Sequence, residues 1–172
     1  MTKHLIIING RSGAGKDSFV KAVFSALSSL DWVTANISSV QPIKDIIHKL
    51  GIEDPDKGED YRNLIVDIKV ALNKYNRYAD KLAIQEVRDL GFNGANHLVF
   101  LHVRESRSIE FIKLTAPFNW KVSTLWVERL DAPAQANDES YDPDFYDFMI
   151  TNSGSLDELK AQAIEFAKKF ED

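Results

Sequence analysis

Along the chain the spacing of apolar positions changes repeatedly, and each change marks an element. Residues 4–9 form an apolar, strand-like run that breaks into a glycine-rich turn over residues 10–15. Phe19, Val23, Leu27 and Leu30 then recur at helical spacing, so a helix opens at Lys16. Residues 32–40 carry β-branched side chains at alternate places and predict a second strand, ended by Gln41-Pro42 because proline cannot donate to a ladder. Ile43, Ile46, Ile47 and Leu50 trace a short helix closed by Gly51, and residues 53–60 are a polar loop.

A long helical pattern occupies residues 61–90, with Leu64, Ile68, Leu72 and Tyr75 on one face and Arg62, Lys69, Asn73 and Asn76 on another. A break is expected near residues 75–78. After the turn cluster 91–96, residues 97–103 are almost continuously apolar, the pattern of a strand covered on both faces. Ser106 is placed to cap a helix over 107–114, which Ala116-Pro117 ends, and residues 121–127 predict a further strand. Residues 130–143 hold no apolar period and read as an excursion, either a lid over reacting groups or a loose surface loop. Residues 145–150 predict the last strand. Ser155 and Glu158 then form a capping box before a helix with Leu156, Leu159, Ala163, Phe166 and Phe170 inward. Strands alternating with helices imply an α/β fold with a doubly wound parallel sheet.

The turn after the first strand carries the chemistry. Gly10, Gly15 and Lys16 stand at the spacing of G-x-x-x-x-G-K-[ST], a loop whose backbone N–H groups cradle phosphates while the lysine meets the outer ones. A preceding strand and a following helix supply the context this pattern needs. A dinucleotide fingerprint fits worse, because Ser18 stands where its final Gly or Ala belongs and Lys16 would have no role. Asp17 replaces the usual hydroxyl. Beside a triphosphate a carboxylate needs a cation between, so Asp17 is a candidate Mg²⁺ ligand; its ordinary alternative is a helix-start aspartate favoured by the macrodipole.

Composition narrows the surroundings of that site. At 172 residues, with 44% hydrophobic and 27% charged residues, the chain fits one domain with its own core. With no cysteine there is no thiolate nucleophile, disulfide or thiolate metal site, consistent with a cytoplasmic protein. No run approaches a membrane span, and a net charge of −5 without a Lys/Arg cluster argues against a nucleic-acid surface. A phosphorylated substrate must therefore meet local cations. Arg104 and Arg129 are the foremost, each just past a strand's carboxyl end, and arginine offers phosphate a planar fork. Lys44 lies in the first turn of its helix, where it meets a substrate phosphate or is simply solvated. Arg62 and Lys69, two turns apart, are either a paired anion grip or a solvated face, and the latter is the more ordinary outcome. The four histidines show no metal spacing.

Four stretches together carry a resemblance: GRSGAGKDS at 10–18, Gln41-Pro42-Ile43-Lys44, Val103-Arg104-Glu105, and Tyr146-Asp147 through Ile150-Thr151-Asn152 with Gly154-Ser155-Leu156. In these the sequence resembles the P-loop nucleoside and deoxynucleoside monophosphate kinases, including viral-type deoxynucleotide kinases and adenylate-kinase-like bacterial proteins. The resemblance implies a five-stranded parallel sheet, a single domain over residues 1–172, a substrate-binding helical region at about 41–90 and a short lid at about 129–143. It implies that Gly10, Arg11, Ser12, Gly13, Ala14, Gly15, Lys16, Asp17 and Ser18 hold ATP, with Mg²⁺ on Asp17. Lys44, Arg62, Lys69 and Arg104 would bind the acceptor nucleotide, and Lys16, Arg104 and Arg129 would act on the transferring phosphoryl group. Gln41 and His102 stand where the family often has Asp. A small-molecule nucleotide is then the partner, with neither nucleic acid nor membrane, and the chain would work as a monomer or homodimer. Two alternatives share the loop: a kinase of another phosphorylated metabolite, and an ATP-binding regulatory module without turnover. A GTPase lacks its Asp-x-x-Gly and Asn-Lys-x-Asp motifs here.

Overall fold

The computed structural model describes residues 1–28, 31–53, 58–91, 94–131, 142 and 144–170. Leu30, residues 54–57 of the acidic loop before the long helical stretch and most of the expected lid lie outside them. Five strands form one parallel sheet: β1 (Lys3–Asn9), β2 (Trp32–Ser38), β3 (Asn96–His102), β4 (Lys121–Glu128) and β5 (Phe148–Thr151), in the order β2-β3-β1-β4-β5. The expected doubly wound α/β architecture is therefore the observed one.

Side-chain alternation along the strands divides the core into two. On one face Ile6, Ile8, Leu98, Phe100, Leu125, Val127 and Ile150 pack under α1 (Lys16–Leu27) and α6 (Leu156–Ala167). Phe166 sits at its centre, with ring centroids 5.3 to 6.3 Å from Phe19, Phe100, Phe148 and Phe170. On the other face Leu5, Ile7, Val99, Leu101 and Trp126 pack under α4 (Tyr78–Leu90) and α5 (Ser106–Thr115). A smaller cluster joins α2 (Gln41–Lys49) to α3 (Glu59–Asn76) and the start of α4 through Ile43, Ile47, Ile65 and Ala79.

The long helical stretch breaks where the pattern placed it. Arg77 adopts φ 53°, a left-handed conformation, and ends α3 while opening α4. Its guanidinium pairs with the fully buried Asp80 at 2.5 Å, donates to the Arg107 carbonyl at 2.7 Å and lies 4.9 Å from the Phe111 ring centroid, which ties the joint to α5.

Several local expectations change. Glu105, not Ser106, is the N-cap residue of α5, and no side chain caps it. The last strand begins at Phe148 because Asp147 is hooked to β4, its Oδ2 accepting from the Thr124 amide and hydroxyl at 2.7 and 2.9 Å. The α6 capping box is present, with Ser155 and Glu158 bonding reciprocally, but Leu156 points outward at 57% exposure. On α3, Tyr75 is exposed and Lys69 is buried, the reverse of the face assigned from spacing.

Candidate active site

Strand β1 ends at the middle of the sheet, and its register puts Ile8 opposite both His102 and Leu125. The chain leaving it must turn at once into α1. Gly10 passes so close to β4 that a Cβ there would lie 2.3 Å from the Val127 carbonyl oxygen, and its φ of 139° is one side chains rarely adopt. Gly15 is constrained chiefly by its φ of 91°, and a Cβ there would also displace the Asn152 amide, whose Nδ2 would stand 2.4 Å away. These approaches account for glycine at both ends of the loop.

Within the loop the Ala14 amide donates to the Arg11 carbonyl and Phe19 N–H to Gly15, closing the first turn of α1. Gly15 is the N-cap of α1 and provides no side-chain cap, so the positive end of a twelve-residue helix opens on the loop. Lys16 Nζ donates to the Gly10 and Arg11 carbonyls at 2.5 and 2.8 Å, which lays the ammonium across the mouth of the loop. Asn9 fixes the floor, accepting from Gly10 N–H through Oδ1 while Nδ2 donates to the Arg104 carbonyl and the Tyr146 hydroxyl.

A cleft of about 480 Å³ opens over this loop, lined by Gly13, Gly15, Lys16, Asp17, Ser18, Arg129, Asn152, Gly154, Leu156 and Leu159. It is within the size of ordinary small-ligand sites. The expected phosphate loop and Arg129 thus share one cavity, joined by the turn after β5. Asn152 links the two sides: its Nδ2 donates to the Ala14 carbonyl at 2.9 Å and its amide to the Glu128 carbonyl at 2.7 Å.

Asp17 faces the opposite wall. Its carboxylate is 76% exposed, 3.4 Å from Asn36 Nδ2 and 3.7 Å from His102 Nε2, and His102 Nε2 is 2.8 Å from Asn36 Oδ1. Burial pushes the His102 imidazole down to about 4, with Asp17 opposing the shift and Lys16 adding to it, so at neutral pH the ring is uncharged. An exposed carboxylate in the first turn beside Lys16 fits a Mg²⁺ that takes its remaining ligands from phosphate and water. Among the described residues no group of three His, Asp or Glu side chains stands where it could hold a metal by itself.

The other expected cations do not line that cleft. Arg104 lies just beyond β3 and is exposed, Arg62 is exposed on the first turns of α3, and Lys44 is half-buried on α2. Lys69 is 3% exposed, with Nζ 2.6 Å from Glu105 Oε2 and 3.1 Å from Ser39 Oγ. It is therefore no part of a solvated face. Periodicity and motif spacing assign no role to Asn36, Ser39, Glu105 or Asn152. A polar Asn36 inside a β-branched run is a visible signal, and Asn152 and Glu105 stand within the stretches that carry the resemblance; Ser39 gives none.

No protein-family model matches the chain, and no curated protein matches it significantly in sequence. Solved structures do. Mycobacterium tuberculosis APS kinase CysC in complex with AMPPNP and APS superposes with a TM-score of 0.55 at 17% identity, over 97% of this chain and 98% of that one. A mutant of the same enzyme gives 0.51 at 17% identity over the same shares. A putative kinase from Chloroflexus aurantiacus gives 0.50 at 11% identity, over 96% of this chain and 98% of that one. At such identities the likeness is one of architecture, and it agrees with the strand order and the loop after β1: the chain has a P-loop kinase fold.

Proposed function

We propose that the protein transfers a phosphoryl group from ATP to a nucleoside or deoxynucleoside monophosphate. The observation that carries the reading is the loop of residues 10–16, whose backbone and Lys16 face a cleft shared with Arg129 at the carboxyl edge of the sheet. Phosphoryl transfer asks a protein chiefly to align two anions and to neutralise spreading charge. The loop amides and Lys16 would hold the donor's outer phosphates, while Arg129 would approach the same phosphates from the far wall. Mg²⁺, held in part by Asp17, would supply neutralisation of the donor's phosphate charge. Arg104, Lys44 and Arg62 would bind the acceptor on the β2–β3 side. An acceptor phosphate attacks without a strong base, so the reading needs no nucleophilic side chain.

A panel of ribo- and deoxynucleoside monophosphates incubated with ATP and Mg²⁺, with APS included, tests reaction and acceptor together. ADP should form with one class of acceptor and not with Lys16→Ala. Turnover with APS alone would redirect the reading to a kinase of another phosphorylated metabolite, and ATP binding without turnover in any arm would indicate a regulatory module. The metal role has its own readout. Asp17→Ser should change the Mg²⁺ dependence of ATP affinity measured by calorimetry, and an unchanged dependence removes Asp17 as ligand.

A further inference from the structure

On the acceptor side, Lys69 is a buried ammonium that the transfer chemistry leaves unexplained. A charge so placed is tolerated only when paired, and Glu105 pairs it at 2.6 Å while Ser39 Oγ accepts a second hydrogen bond at 3.1 Å. The three groups come from different elements. Ser39 follows β2 and is pinned by its own amide donating to the His102 carbonyl; Glu105 follows β3 and is pinned by its carbonyl, which accepts from the Ser108 and Ile109 amides at the start of α5. Lys69 comes from the middle of α3.

An ammonium has three donors and a carboxylate two acceptor oxygens. The contacts on Lys69 use two donors and those on Glu105 one oxygen, and among the described residues neither group has a further protein partner. The Glu105 side chain is 42% exposed, so its carboxylate is partly open to solvent. A phosphate suits this place badly, since it can only accept and would meet an anionic oxygen. A neutral hydrogen-bond donor suits it well.

We propose that Glu105, positioned by Lys69, reads a neutral hydrogen-bond donor of the acceptor, a hydroxyl or a base amino group, and that Glu105 is a specificity-determining residue. The group would donate to Glu105 Oε1, while Lys69 Nζ, buried behind the carboxylate, holds Glu105 in place and the acceptor's phosphate is held elsewhere by Arg104 and Lys44. This revises the paired anion grip of Arg62 and Lys69, and it rests on the phosphoryl-transfer reading above.

The test is steady-state kinetics of the wild type, Glu105→Gln and the double variant Lys69→Met/Glu105→Ala, with ATP affinity measured separately by calorimetry. The double variant keeps the fold testable, because removing both members of a buried pair avoids stranding one charge. In both variants the acceptor KM should rise roughly ten- to a hundredfold while ATP affinity stays within about twofold. Acceptors lacking the 2′- or 3′-hydroxyl, and acceptors with an altered base edge, form the remaining arms. The analogue on which the variants no longer differ from wild type identifies the group read. Unchanged acceptor KM in both variants, with wild-type turnover intact, overturns this proposal alone. A wild-type protein that neither binds nor phosphorylates any acceptor overturns the transfer reading and this one with it.

Discussion

His102 shows how one side chain's surroundings set its part in the site. Buried beside Lys16, its imidazole is held neutral, and it is joined to Asp17 through Asn36 as a hydrogen-bonding partner, not as a cation. Its folded-state affinity for protons lies below that of the unfolded chain. Stability from this residue is therefore complete above about pH 6.5, is lost as pH falls toward about 4, and changes little below that. Urea titrations in EDTA at pH 7 and pH 4.5 should show a smaller loss of stability for His102→Gln than for wild type; an equal loss would contradict the assignment. Asn152 makes a second residue-scale case. Asn152→Ala leaves the buried Ala14 carbonyl without its donor, and ATP affinity by calorimetry should fall about five- to tenfold, the effect of one hydrogen bond of about 1 kcal/mol. Both residues were readable as letters in the sequence. Their partners were not, because Asn36, His102 and Asp17 come from three separate elements, and Asn152 reaches Ala14 across 138 positions.

At the scale of elements, the α3–α4 joint is the most specific device in the fold. Arg77 stands in a left-handed conformation and neutralises an Asp80 that has no access to water. Arg77→Ala should cost about 3–5 kcal/mol in chemical denaturation by leaving that carboxylate unpaired, and adding Asp80→Ala should recover part of it. Recovery is the discriminating result, since loss of packing against Phe111 would leave the double variant no better than the single. The break was legible near residues 75–78, where the apolar spacing of one helix fails to continue into the next. The burial of Lys69 was not. Spacing alone placed it opposite Leu64 and Ile68, and its true environment depends on α3 crossing the ends of β2 and β3, where Ser39 and Glu105 wait. The last strand was misplaced by three residues for a comparable reason, because the hook from Asp147 to Thr124 is a contact between strands and leaves no trace in period.

For the whole molecule, the sheet brings the phosphate loop, Arg129 and the turn after β5 to one edge, so nucleotide binding should stabilise the entire fold. With Mg²⁺·ATP at about a hundred times its dissociation constant the linkage is worth about 2.7 kcal/mol. For a chain of this size that is a rise in Tm of about 5–10 °C. Lys16→Ala should abolish the shift in differential scanning fluorimetry while leaving the ligand-free Tm close to wild type. What the sequence determined by itself was whatever neighbouring residues decide together: the loop of residues 10–16, the alternation of strands with helices, the capping box and the break before α4. These rest on local backbone sterics and on periods of two and 3.6, which need no distant partner. Only the tertiary structure decided which cations converge. It set Arg129 over the loop, sent Lys69 inward to Glu105 and left Arg62 in water, because the position of a charge across a sheet edge follows from strand order and helix crossing, and neither is a property of any short stretch of chain.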